Sequence, residues 1–195
     1  MTCDVNTLFV VKKYFTLHTS HIKKMYINFE KMPLSARLWV YQAERTLTKE
    51  EKTAFEEATT LFINQWTAHQ ATLNASFCIK YNRFLVVAVD ESATHASGCS
   101  IDKLTHFLQH LQNEFKMQLL DRLQLAFLEE NLENQEGKII TFALKDVKNA
   151  LENGEIKAKT LFFNNSINTL EGFQNEWLVS IENSWLKQRL PSVTT

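Results

Sequence analysis

At 195 residues the chain is long enough for one sizeable core, or for one core with a small appended unit. Hydrophobic residues at 45% and charged residues at 22% are ordinary globular values, which indicate neither a disordered chain nor a coiled coil, and a net charge of -1 gives no electrostatic case for nucleic acid or an anionic membrane. No apolar run approaches the roughly 20 residues needed to span a bilayer, and the three cysteines, Cys3, Cys78 and Cys99, form no CxxC pair and fit a reducing, cytoplasmic setting better than a disulfide framework.

The first 31 residues stand apart. They carry five lysines against Asp4 and Glu30, a net +3, so the remainder of the chain from Met32 carries -4. The apolar run "LFVV" has no basic residue before it and no small-residue cleavage site after it, which argues against a signal peptide. Residues 1–31 are therefore expected to be a disordered or superfluous leader, with the native start at Met32.

The segment 35–43, "SARLWVYQA", is β-branched and aromatic and reads as a strand. A helix from about 49 to 68 follows: Thr48 and Glu51 match a capping box, and Phe55, Ala58, Phe62, Trp66 and His69 recur at helical spacing. His69 then falls near the helix end, where a protonated imidazole suits the dipole. "NASFCIKY" and "RFLVVAVDE" are two strands of a hairpin turning at "YNR", the second apolar enough to be central. Ile101, Leu104, Phe107, Leu108, Leu111 and Phe115 make the stripe of a second amphipathic helix. "LDRLQLAFLEE" gives a fourth strand over about 123–128. Strand, helix, strand, strand, helix, strand is the ferredoxin-like βαββαβ order, which predicts an α+β core over 32–133 with an antiparallel sheet and both helices on one face.

A smaller β-α-β-α extension is expected over 134–195. It comprises the strand "KIITFA", the helix "LKDVKNALEN" ended by Gly154, the strand "KTLFFNN", and a long amphipathic helix. That last helix is opened by Thr169, carries Phe173, Trp177, Ile181 and Trp185 on one face, and is stopped by Pro191.

Chemistry concentrates in "ASGCSID", residues 96–102, between the central strand and the second helix. Ser97, Gly98, Cys99 and Ser100 could form an anion pocket, because unpaired N–H groups and the helix dipole point the same way at a helix N-terminus. Asp90 and Asp102 flank that pocket as further ligand candidates. Neither GxxxxGK[ST] nor GxGxxG occurs, and Gly137-Lys138 lacks the rest of a P-loop, which excludes a P-loop nucleotidase. Cys99 could be a nucleophile at the helix mouth, with His69, His95 or Asp90 as its base. The alternative is packing: with Ser100 as N-cap, Cys99 and Leu104 occupy the two positions of a hydrophobic staple, and Gly98 eases the turn. His106, His110 and Asp102 share a stripe, but on the side expected to face water, so no metal site is expected. Asp90 and Glu91 are adjacent on a strand and point opposite ways, so they cannot act as a pair.

From Met32 onward the chain resembles an uncharacterised family of bacterial proteins, best known from Bacteroidetes, often labelled "ABC transporter ATPase". The resemblance rests on "MPLSARLWVYQAER", "FINQWTAH", "FLVVAVDE", "SGCSID", "LLDR", "TLFFNNSINT" and "ENSW", and "SGCSID" is its most specific piece. It implies a start at Met32 and brings no established activity. The label points to "SGCS" as a relative of the LSGGQ signature, yet without a Walker A lysine an ATPase is not expected. The resulting expectation is a non-enzymatic binding or regulatory module, without cofactor, nucleic acid or membrane. Its small anionic ligand or protein partner would sit at the "VDE…SGCSID" corner, with a Cys99 thiol enzyme as the alternative.

Overall fold

The computed structural model describes residues 27–129 and 137–190. The fold is α+β, with four α-helices and antiparallel sheets among these residues. The chain divides into two compact units. The first runs up to Leu120 and takes in Asn168–Leu170; the second comprises Asp121–Ile167 and the residues from Glu171 on. The division thus falls at Leu120–Asp121, ahead of the expected boundary at 133.

The first unit holds β1 (Arg37–Gln42), α1 (Lys49–Gln65), β2 (Thr67–Ala68), β3 (Ala71–Thr72), β4 (Asn74–Lys80), β5 (Phe84–Asp90) and α2 (Gly98–Phe115). Its main sheet has the order β1-β5-β4, antiparallel throughout. Strand alternation puts Trp39, Tyr41, Ala75, Phe77, Leu85, Val87 and Val89 on one face. Both helices pack there, α1 through Phe55, Ala58 and Ile63, α2 through Leu104, Phe107, Leu108, Leu111 and Phe115. Phe62 and Phe107 stack across the helix pair, ring centroids 4.4 Å apart. The opposite face, with Leu38, Val40, Phe84, Val86 and Ala88, is buried as well, which is why β5 reads as an unbroken apolar run.

Local signals set the ends of these elements. Thr48 Oγ1 accepts the Glu51 N–H and Glu51 Oε2 accepts the Thr48 N–H, the expected capping box. Hydrogen bonds from Arg45 hold the Glu51 carboxyl below the usual carboxylate range. The β4–β5 hairpin turns through Tyr81 and Asn82, both in the left-handed region. Arg83 is buried beside that turn and donates to the carbonyls of Ala43 and Glu44.

The expected four-stranded ferredoxin-like sheet does not form. β1, β5 and β4 stand as its first three strands would, but the segment read as the fourth, β6 (Gln124–Glu129), lies in the second unit. There it pairs along its whole length with β7 (Lys138–Ala143) and through Phe127 and Leu128 with β8 (Leu161–Phe163). The place beside β1 is taken by Asn168–Leu170: Leu38 N donates to Asn168 O at 2.8 Å, Leu170 N to Ala36 O at 3.0 Å, and Arg37 bridges Thr169.

The second unit has the sheet order β7-β6-β8-β9 and a core of Leu125, Phe127, Val147, Ala150, Leu151, Ile156, Phe162, Ile181 and Leu186. Its short helix α3 (Val147–Glu152) ends before Gly154, whose φ of 77° explains the glycine. The expected long C-terminal helix is broken. α4 spans only Leu170–Glu176, and β9 (Leu178–Ser180) then pairs antiparallel with β8, ahead of two 3-10 turns at Ile181–Asn183 and Trp185–Arg189. The aromatic stripe does continue from Phe173 to Trp177, ring centroids 4.5 Å apart. At Trp177, however, the indole donates to Asn165 Oδ1 and the carbonyl accepts the Asn164 N–H, which draws the chain into the ladder beside β8. Trp185, expected on the buried stripe, is 41% exposed.

Of the expected leader, residues 1–26 lie outside the described residues, whereas Phe29–Lys31 form a 3-10 turn packed beside β4. The fully buried Ser76 donates its hydroxyl to Ile27 O at 2.6 Å. A chain begun at Met32 therefore strands a buried hydroxyl, at a cost of about 1–3 kcal/mol. Urea unfolding is expected to show that loss for the shortened chain, with part of it recovered by adding Ser76→Ala; equal stability of the full and shortened chains would refute it.

Candidate functional site

The corner between β5 and α2 is built around Glu91. Alternation carries Asp90 to the face of Asn74 and Ser76, where Oδ1 accepts the Ser92 N–H at 3.0 Å and forms a local turn. Glu91 falls instead on the helix-bearing face. Its Oε1 accepts the Ala96 N–H at 2.9 Å and lies 3.4 Å from Arg37 Nη1, while Oε2 is 3.6 Å from His95 Nδ1. One half-buried carboxylate thus ties β1, β5 and the 92–96 loop together. The Arg37 guanidinium lies over the Trp39 ring at 4.9 Å, and Trp39 meets Trp66 edge to face at 6.2 Å.

Helix α2 starts earlier than expected. Ser97 is the N-cap: its Oγ accepts the Ser100 N–H, and the Ser100 hydroxyl returns a 2.7 Å bond to Ser97 O. This phase puts Ser100, Leu104, Phe107, Leu108 and Leu111 on the buried stripe and turns Cys99, Asp102 and His106 toward solvent. The staple reading is thereby overturned. Cys99 is the second helical residue, exposed, and cannot pack on Leu104. Gly98 also loses its expected role, since its φ is not left-handed and a Cβ there would meet nothing within 4 Å.

The bond that fixes this helix mouth comes from a residue assigned only to the core. Trp66, 1% exposed, donates Nε1–H to Ser100 O at 2.8 Å. It follows α1 as its C-cap, so the helix ends at Gln65, short of the expected 68. His69 lies past that end, at the tip of the β2–β3 turn, with φ values of 48° for His69 and 68° for Gln70. It is therefore not a helix-terminal residue.

The remaining candidates do not converge. His95 is solvent-facing and directed to Glu91. Among the described residues no hydrogen bond or ion pair joins Cys99 to His69, His95 or Asp90, and no group of three His, Cys, Asp or Glu residues could hold a metal ion. Sequence reasoning missed Arg37 and Trp66 and treated Glu91 only as a neighbour of Asp90. The signal for Glu91 was present in the period of two, which sends it toward the helices.

No helix among the described residues is long and apolar enough to cross a membrane. A scan against family models and searches of curated proteins and of solved structures returned no match to the chain.

The two described thiols differ sharply. Cys78 lines a hollow of about 480 Å3 with Phe29, Thr60 and Phe77, and burial pushes its thiol from 9.0 up to about 12, with Lys80 opposing. In a Cys3→Ser chain at pH 8, iodoacetamide is expected to label Cys99 in the native protein and Cys78 only after unfolding. The raised Cys78 value also means that the folded state holds more protons than the unfolded one between about pH 9 and 12, so this thiol's contribution to stability falls as pH rises through that window. Cys78→Ala should flatten that decline, and an unchanged alkaline decline would count against it.

Proposed function

We propose that the protein is a non-enzymatic binding or regulatory module whose ligand or partner engages the corner between β5 and α2. The observation that carries this reading is a solvent-facing loop held in one shape by its own side chains. Glu91 closes residues 92–96, Ser97 and Ser100 cap the helix reciprocally, and Gly98 and Cys99 present an uncluttered first turn. A recognition surface gains affinity when its shape is fixed before binding. A small anionic group fits this mouth by the general chemistry of helix N-termini. ATP hydrolysis does not fit it, since the phosphate-cradling loop and its lysine are missing from the sequence.

The exposure of Cys99 favours a second reading, a thiol-dependent enzyme with Cys99 as nucleophile. Set against it, two of the candidate bases are engaged elsewhere, Asp90 with the Ser92 N–H and His95 with Glu91, and the third, His69, sits at the tip of the β2–β3 turn.

A thermal-shift screen of nucleotides, sugar phosphates and inorganic phosphate separates the two readings. Binding at the corner is expected to raise the melting temperature of the parent chain and of Cys99→Ser, and to fail for Gly98→Val, whose added side chain projects into open space without disturbing the fold. If nothing stabilises the parent, the anionic-ligand reading is refuted. Turnover of a thioester or peptide substrate abolished by Cys99→Ser would establish the enzyme instead.

A further inference from the structure

Among its described residues the second unit has a strand edge with no partner strand. In its sheet, β7 and β9 are the outer strands, and β9 is only three residues long. β7 is six residues, "KIITFA", paired without a bulge to β6 from Lys138↔Glu129 to Ala143↔Gln124. No strand among the described residues pairs with its other side. Natural edges of this length are ordinarily protected by proline, a bulge or a charge along the strand. β7 has none of these, its one charged residue being Lys138 at the end, and all five residues after it are half-buried despite the complete inner ladder.

The hydrogen-bond phase of this edge follows from one bond. Leu144 N donates to Leu123 O at 2.8 Å, and these residues continue the β6–β7 register by one step. In an antiparallel ladder the bonded pairs alternate, so Phe142, Ile140 and Lys138 turn their N–H and C=O groups toward β6. Ile139, Thr141 and Ala143 turn theirs outward. Just before β7, a Cβ on Gly137 would come 2.5 Å from Leu128 Cδ1, so the chain already runs close to β6 as the strand begins.

We propose that β7 is a self-association edge at which two copies of this chain pair antiparallel about a two-fold axis through Thr141. This phase is the one in which the three outward residues satisfy one another completely, Thr141 with Thr141 of the second copy and Ile139 with its Ala143. An isologous edge of this kind closes on itself as a dimer and does not propagate. Charge favours the same orientation. Antiparallel pairing sets the two Lys138 ammonium groups at opposite ends of the ladder, roughly 20 Å apart at the rise of a strand, beyond the Debye length at physiological salt. Parallel pairing would set them side by side. A six-residue ladder is smaller than a standard interface, so the dimer is weak and exchanges rapidly.

Sedimentation velocity of the full chain across the micromolar range tests this, with hydrogen exchange at the Ile139, Thr141 and Ala143 amides as a second readout. The parent is expected to show a concentration-dependent monomer–dimer equilibrium and slower exchange of those amides as dimer accumulates. Thr141→Pro removes an outward donor and leaves the inner ladder whole, and Thr141→Lys places two like charges at the axis. Each is expected to weaken the dimer by about tenfold or more with an unchanged circular dichroism spectrum. A third variant, Ala143→Pro, makes the same demand at the end of the edge, should either Thr141 variant fold poorly. A chain monomeric throughout, a dimer indifferent to these substitutions, or outward amides slow in the monomer would each overturn the proposal.

Discussion

The indole of Trp66 is the contact on which the first unit's organisation depends. Trp66 caps the end of α1, and its ring lies tilted against Phe62, meets Trp39 of β1 edge to face, and donates to the first turn of α2. A buried indole N–H without a partner is costly, and the Ser100 carbonyl is otherwise an ordinary helical acceptor, so the bond selects one axial position for α2. The phase of α2 follows from it. Ser100 must face inward to bring its carbonyl under the indole, which makes Ser97 the cap and sends Cys99 to the surface.

Around that anchor the corner is stiffened by interactions that are individually cheap. The Arg37–Glu91 and His95–Glu91 pairs are partly solvated and worth at most about 1 kcal/mol each. The Ala96 N–H to carboxylate bond belongs to the stronger, charge-assisted class. Their combined effect is geometric more than energetic: a five-residue connection without glycine is given a single path from sheet to helix.

Much of the fold was legible because it rests on local patterns. Thr48 and Glu51 announced α1, the apolar run of β5 announced a strand covered on both faces, and the spacing from Leu104 to Phe115 announced α2. What local pattern lacks is partnership. β6 reads equally well in either sheet, and only its pairing with β7 decides the matter. The stripe from Phe173 to Trp185 has a helical period, but the β8 edge competes for Leu178–Ser180 and wins after two turns. At the helix mouth Ser100 reads as the cap, but Ser97 takes that place, with the Ser100 carbonyl held by Trp66 from far away in sequence. Glu91 was misjudged for a different reason, because its value comes from Arg37, His95 and the Ala96 amide meeting in space.

The return of Asn168–Leu170 to the edge of β1 has a consequence for how the chain is made. β1 is the first of the described strands in chain order, yet the backbone that covers its outer side is synthesised only after most of the second unit. The nascent first unit therefore lacks this cover on β1 until residues 168–170 have been made. Closure over so long a stretch of chain is entropically slow. Completion of the first unit is thus timed by the translation of a segment that belongs, in sequence, to its neighbour.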